Sequence, residues 1–130
     1  MLILSRGDMR RVLDAAQLFD AMTEAFRQLA NGQWTIPLRT TIDMPGHQGL
    51  ALFMPSYGEA LSAAGVKLVT INKLNPEKHL PLIRSSYAYL SAETGEVLGL
   101  MDAEFLTGIR TAVVSALVTD LLGKADPGAA

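Results

Sequence analysis

The hydrophobic period changes several times along the chain, and each change predicts an element. "MLILS" is a short apolar run that reads as a strand. One or two helical turns are predicted from Asp8 to Leu13. Asp14 then stands as the N-cap of a longer helix in "AAQLFDAMTEAFRQLANG", where Leu18, Met22, Phe26 and Leu29 share a face and Gly32 is the stop. The period drops to two in "TIPLRTTIDM", a predicted strand that turns at "PGHQG". "LALFMPSY" and "AAGVKLVTINK" are two further strands, and the polar loop "LNPEKHLP" leads into "SSYAYLSAETGEVLGLM", a hairpin around "ETGE". Asp102 is the predicted cap of a final helix over about 103–123. Helices, then adjacent strands, then a helix predict an α+β domain, with N-terminal and C-terminal helices packed on a mixed, largely antiparallel sheet. At 130 residues the chain is the size of a single domain, 1–130.

Composition adds a constraint on surface. Charged residues are only 18% of the chain against 49% hydrophobic, and the mean hydropathy is +0.24. That is more apolar surface than one compact monomer hides, so an interface with a second subunit or a further domain is expected. A net charge of −2 gives no basis for a nucleic-acid partner. No uninterrupted apolar run approaches the roughly 20 residues of a membrane span, and the basic residues of "MLILSRGDMRR" follow its apolar piece, the reverse of a signal peptide. No membrane partner is expected. The lack of cysteine excludes disulfides and thiolate zinc sites and makes a cytoplasmic setting the default. His47 and His79 lack metal-ligand spacing, so no metal is expected. No GxGxxG turn and no Ser/His/Asp order is present.

Candidate chemistry lies in cations set among apolar residues. At about 100° per residue, Arg110 falls in the middle of the stripe formed by Leu106, Val113, Leu117 and Leu121, while Gly108, Thr111, Ser115 and Thr119 form the opposite, small-residue face. Two readings are open there. The guanidinium either snorkels to water or makes a structural ion pair, or it is delivered into a cavity to hold a carboxylate or phosphate. Lys67 repeats the oddity on a strand, with Gly65, Val69 and Ile71 on its own face and Ala64, Val66, Leu68 and Thr70 on the other. A lysine covered on both sides either escapes to water along its stem or is desolvated, and desolvation lowers its pKa toward values useful for proton transfer or imine chemistry. Arg39 shares a polar face with Pro37, Thr41 and Asp43; alone it reads as solvated, and its weight comes from company. Met54 reads as core first and ligand wall second.

The segments "IPLRTTI", "FMPSY", "GVKLVTINKLNP", "LPLIRSSYAYLSAETGEVLGLMDAEFLTGIRTAVVSAL" and "LLGKADP", in this order and spacing, resemble the N-terminal part of the ornithine cyclodeaminase/mu-crystallin family. The resemblance implies a substrate-binding and dimerisation domain, followed in the family by a Rossmann domain that binds NAD(P). It implies Arg39 and Arg110 as carboxylate-binding residues, Lys67 as the active-site lysine, and Thr111 as the residue that approaches the nicotinamide cofactor; Met54 stays a candidate for the substrate site on its own reading. It further implies a small amino or imino acid as ligand and a homodimer as assembly. Family members continue after "ADP" into the GxGxxG strand and turn, whereas this sequence stops at "KADPGAA", so the chain by itself is expected to be inactive and not to bind NAD(P). The implied function is the substrate-binding part of a cyclodeaminase, alanine dehydrogenase-like or ketimine reductase-like enzyme. The alternative is a non-catalytic binding or dimerisation module, as in the mu-crystallin branch.

Overall fold

A sheet of seven strands organises the protein, which is seen here in a computed structural model that describes residues 1–123. Strand β1 (Leu2–Leu4) is followed by helix α1 (Arg6–Val12) and helix α2 (Ala15–Ala30). Then come β2 (Trp34–Thr35), β3 (Thr40–Met44), β4 (Gly49–Gly58), β5 (Ala63–Asn72), β6 (Ile83–Ser91), β7 (Val97–Asp102) and helix α3 (Glu104–Leu122). The sheet runs β1-β7-β6-β5-β4-β2, with β3 also pairing β4; β1 is parallel to β7 and every other pair is antiparallel. This is the mixed, largely antiparallel α+β sheet that the sequence predicts. The expectation that the chain beyond Gly123 leads toward another domain lies outside the described residues.

Local chemistry explains the boundaries. α1 begins before the predicted Asp8 because Ser5 is its N-cap and Asp8 its third residue: the Asp8 N–H donates to Ser5 Oγ at 3.3 Å and the Ser5 N–H donates to the Asp8 carboxylate at 2.9 Å. α2 starts where predicted, the Gln17 N–H donating to the Asp14 carboxylate at 2.9 Å, and Gly32 follows its end at φ +73°.

Two elements depart from expectation. The strand predicted over "TIPLRTTIDM" is broken, since β2 and β3 both pair with β4 but residues 36–39 leave the ladder. Pro37 has no N–H to donate, and Pro55 in the facing strand has none either, so the ladder has little to hold it there. Asp102 is not the N-cap of α3: it ends β7, Ala103 occupies the cap position, and the Asp102 carboxylate accepts from the Glu104 N–H at 3.1 Å. Arg6 bridges this corner, lying 3.7 Å from Asp102 and paired with Glu104.

α3 is anchored by fully buried Ala103, whose N–H donates to the carbonyl of buried Ser85 on β6 at 3.0 Å. α1 and α2 both pack on α3, so the three helices share one face of the sheet. By length and composition α3 also passes for a membrane span, which counting uninterrupted apolar runs did not reveal, although here it packs against α1, α2 and β6. The other face is defined by register and carries Phe53, Pro55, Val66, Leu68, Ala88 and Leu100. Ile42 and Leu100 on that face are 50% and 40% exposed.

Glycine makes room for an aromatic ring at Gly58, where an added Cβ would lie 2.9–3.1 Å from three indole carbons of Trp34. The indole is rigid and its Nε1 donates to Gln28 on α2 at 3.2 Å, so it has little freedom to yield. Gly58→Ala is expected to destabilise the fold by about 1–3 kcal/mol. An unchanged urea midpoint would contradict this packing.

Candidate functional site

The register of the sheet sets one row of side chains. Lys67 on β5 lies directly opposite Met54 on β4 and directly opposite Tyr87 on β6; Tyr87 in turn faces Met101 on β7. Directly paired residues point to the same face, and the charge of Arg110 on α3 acting on Lys67 puts that face on the helix-covered side. Lys67 is half-buried there.

Arg110 reaches the row from above. It is half-buried on α3, in the same stripe as buried Val113 and Leu117, and its charge acts on the Lys67 ammonium. The Lys67 pKa is pushed below the ordinary 10.5, first by burial and then by the Arg110 charge. The sign for stability follows from the direction. Below the folded-state pKa the ammonium is a constant cost to the fold, and that cost is relieved as pH rises toward 10.5, because the unfolded chain then holds the proton more tightly.

No carboxylate neutralises either cation among the described residues. The ion pairs found there join Arg6 to Asp102 and Glu104, Arg11 to Asp8, and Arg27 to Glu24. A structural ion pair, one of the two readings open for Arg110, is thus not made by any described residue. Two cations brought together without an internal anion attract one from solution.

The other candidates take different places. Met54 is half-buried beside Lys67. Arg39 is exposed in the break between β2 and β3, immediately before Thr40, which pairs Phe53; the next residue of β4 is Met54. This puts the Arg39 backbone at the open end of the row. It is not in the continuous polar strand face that the sequence suggested. Thr111 is exposed, and its hydroxyl donates to the Thr107 carbonyl at 2.7 Å. It lies away from the Lys67–Arg110 pair, with Gly108 and Ser115 on the exposed side of α3. Tyr87, the other direct neighbour of Lys67, carried no signal in the sequence, since only the pairing of β5 with β6 across a ten-residue connection brings it there. No group of His, Asp and Glu among the described residues is arranged to hold a metal ion.

Fold and site together define an α+β domain that gathers basic side chains on the helix-covered face of its sheet. The chain belongs to the ornithine cyclodeaminase/mu-crystallin family, whose sequence model matches residues 1–128. It is 29% identical over 124 residues to a Delta(1)-pyrroline-2-carboxylate reductase of Bacillus cereus, a match covering 95% of this chain and 38% of that protein. Among solved structures it resembles the Delta(1)-pyrroline-2-carboxylate reductase of Thermococcus litoralis in complex with NADH and L-proline. That likeness has a TM-score of 0.90 at 36% identity and covers 97% of this chain and 39% of the other. An archaeal alanine dehydrogenase dimer with bound NAD superimposes with a TM-score of 0.84 at 28% identity, covering 92% of this chain and 36% of the other. The chain therefore spans about two fifths of the length of the relatives it matches.

Proposed function

We propose that this chain is the substrate-binding and dimerisation part of an NAD(P)-dependent enzyme that interconverts an amino acid and its imine. The observation that carries the proposal is the convergence of Lys67 and Arg110, two cations on facing elements with no described acidic partner. The substrate carboxylate docks on the Arg110 guanidinium, with Arg39 closing over it from the open end of the row. Lys67, its pKa lowered, is placed to hydrogen-bond the substrate or exchange a proton with it. Met54 supplies an adaptable apolar wall. The bound relatives, one with NADH and L-proline and one with NAD, support this assignment of ligand class.

The nicotinamide cofactor would supply the hydride acceptor and donor. The exposed face of α3 at Gly108, Thr111 and Ser115 is small enough for a flat ring to approach, which fits contact with the nicotinamide end. No glycine-rich phosphate-binding turn is in this sequence, so the phosphates are held by residues outside it. The uncovered sheet face is the dimer surface in this proposal. It carries a shallow groove of about 320 Å³ lined by Pro55, Tyr57, Ala64, Val66 and Leu90, and its exposed Leu100 and Ile42 add apolar area. The absence of cysteine fits a cytoplasmic setting.

Arg110→Leu separates anchor from structural role. Leucine in a stripe beside Val113 and Leu117 keeps the fold or stabilises it, because a half-buried charge is costly against an apolar replacement. The kcat/KM for the amino or imino acid, measured with the polypeptide as its gene encodes it, falls by the equivalent of about 2–5 kcal/mol, the worth of a lost charge-assisted contact. Unchanged kcat/KM would remove Arg110 from the site, and loss of folding in thermal unfolding would make it a structural residue. Sedimentation velocity of the 130-residue chain with NADH, followed by protein and NADH absorbance, is expected to show a dimer that carries no NADH. A monomer would contradict the sheet interface, and NADH moving with the protein would contradict the placement of the phosphate site.

A further inference from the structure

Tyr87 is held in an unusual position beside Lys67. Gly65 lies two residues before Lys67 on β5 and so on the same face of the sheet. A Cβ built on Gly65 would stand 2.0 Å from the Tyr87 hydroxyl oxygen, 2.4 Å from Cζ and 2.7 Å from Cε1. The phenol therefore lies flat across β5 at Gly65, in space that any side chain there would occupy. Glycine inside a strand weakens it and marks a place where another group comes close to the backbone. At Gly65 that group is the end of the Tyr87 ring. No side-chain oxygen or nitrogen among the described residues is both buried and unpartnered. The Tyr87 hydroxyl bonds no described residue, and the side chain as a whole is half-buried.

We infer that Tyr87, seated on Gly65, is a specificity-determining residue that forms the floor of the ligand site next to Lys67. This inference rests on the function proposed above. Arg110 and Arg39 hold the ligand's carboxylate and Lys67 meets its reacting end, so its remaining atoms lie over the Met54–Lys67–Tyr87 row. Met54 on one side of Lys67 adapts its shape, whereas the phenol on the other side is rigid and pinned by Gly65. The rigid wall sets the largest side chain or ring that fits. Its hydroxyl offers a hydrogen bond to a polar atom of the ligand.

The test uses two pairs of acids in which the second is larger by one methylene: L-alanine with L-2-aminobutyrate, and L-proline with L-pipecolate. NAD(P)-linked oxidation of each is measured with the polypeptide as its gene encodes it. Tyr87→Ala is expected to raise the ratio of kcat/KM for the larger to the smaller acid by about tenfold or more, the discrimination a pocket exerts on one methylene. Gly65→Ala pushes the ring up and lowers that ratio. Tyr87→Phe keeps the shape, leaves the ratio unchanged and raises KM more than it lowers kcat. Because Tyr87→Ala removes a large side chain and can impair folding, the Phe and Gly65 variants decide the case if it does. An active wild type whose size ratio is the same in the Gly65 variant, and whose KM is the same in Tyr87→Phe, overturns the role of Tyr87 alone. A wild type that neither binds nor oxidises any of the four acids overturns the proposed function, and this inference with it.

Discussion

Two like charges held near one another in partly apolar surroundings are the constraint around which this structure is arranged. Lys67 comes from the middle of β5 and Arg110 from α3, and burial together with mutual repulsion lowers the affinity of Lys67 for its proton. Such a pair opposes folding unless something offsets it, and no described acid does so. The offset comes from the scaffold: a continuous ladder of long strands fixes Lys67, and the buried Ala103–Ser85 contact with the Arg6 bridge to Glu104 fixes the start of the helix that carries Arg110. A cost maintained by the rest of the fold is then available to an incoming anion as binding energy.

Register turns that constraint into a site. Because β4, β5 and β6 are antiparallel and in step, Met54, Lys67 and Tyr87 form one line, and a slip of one residue would send all three to the face without helices. The break between β2 and β3 matters for the same reason, since it leaves one end of the line unpaired and lets Arg39 stand there. The two faces of the sheet thus differ, with Lys67 and its row under the helices and an apolar surface, including half-exposed Ile42 and Leu100, on the other side.

Much of this was legible in the sequence because it depends on local periodicity. The 3.6-residue stripe of α3 identified Arg110 as misplaced among apolar residues, and the alternation of β5 identified Lys67, both before any pairing was known. The capping of α2 by Asp14 was equally local. What the sequence concealed depends on distant partners. The break around Pro37 depends on Pro55 in the facing strand, and the corner between β7 and α3 is bridged by Arg6, nearly a hundred positions away, through Asp102 and Glu104. Tyr87 looked like any aromatic of a hairpin until its ring was seen lying on Gly65. The family resemblance joined Arg39, Lys67 and Arg110 into one set; the structure brings the last two together and leaves Arg39 exposed at the row's end.

The most direct measurement is the titration of the Lys67 side chain by NMR, in the free chain and with rising L-proline. In the free chain Lys67 is expected to deprotonate below 10.5, and a carboxylate bound at Arg110 is expected to raise that pKa by offsetting the repulsion. A free-chain pKa at or above 10.5, or a titration that L-proline leaves unmoved, would contradict a pair of cations held in readiness for an anion.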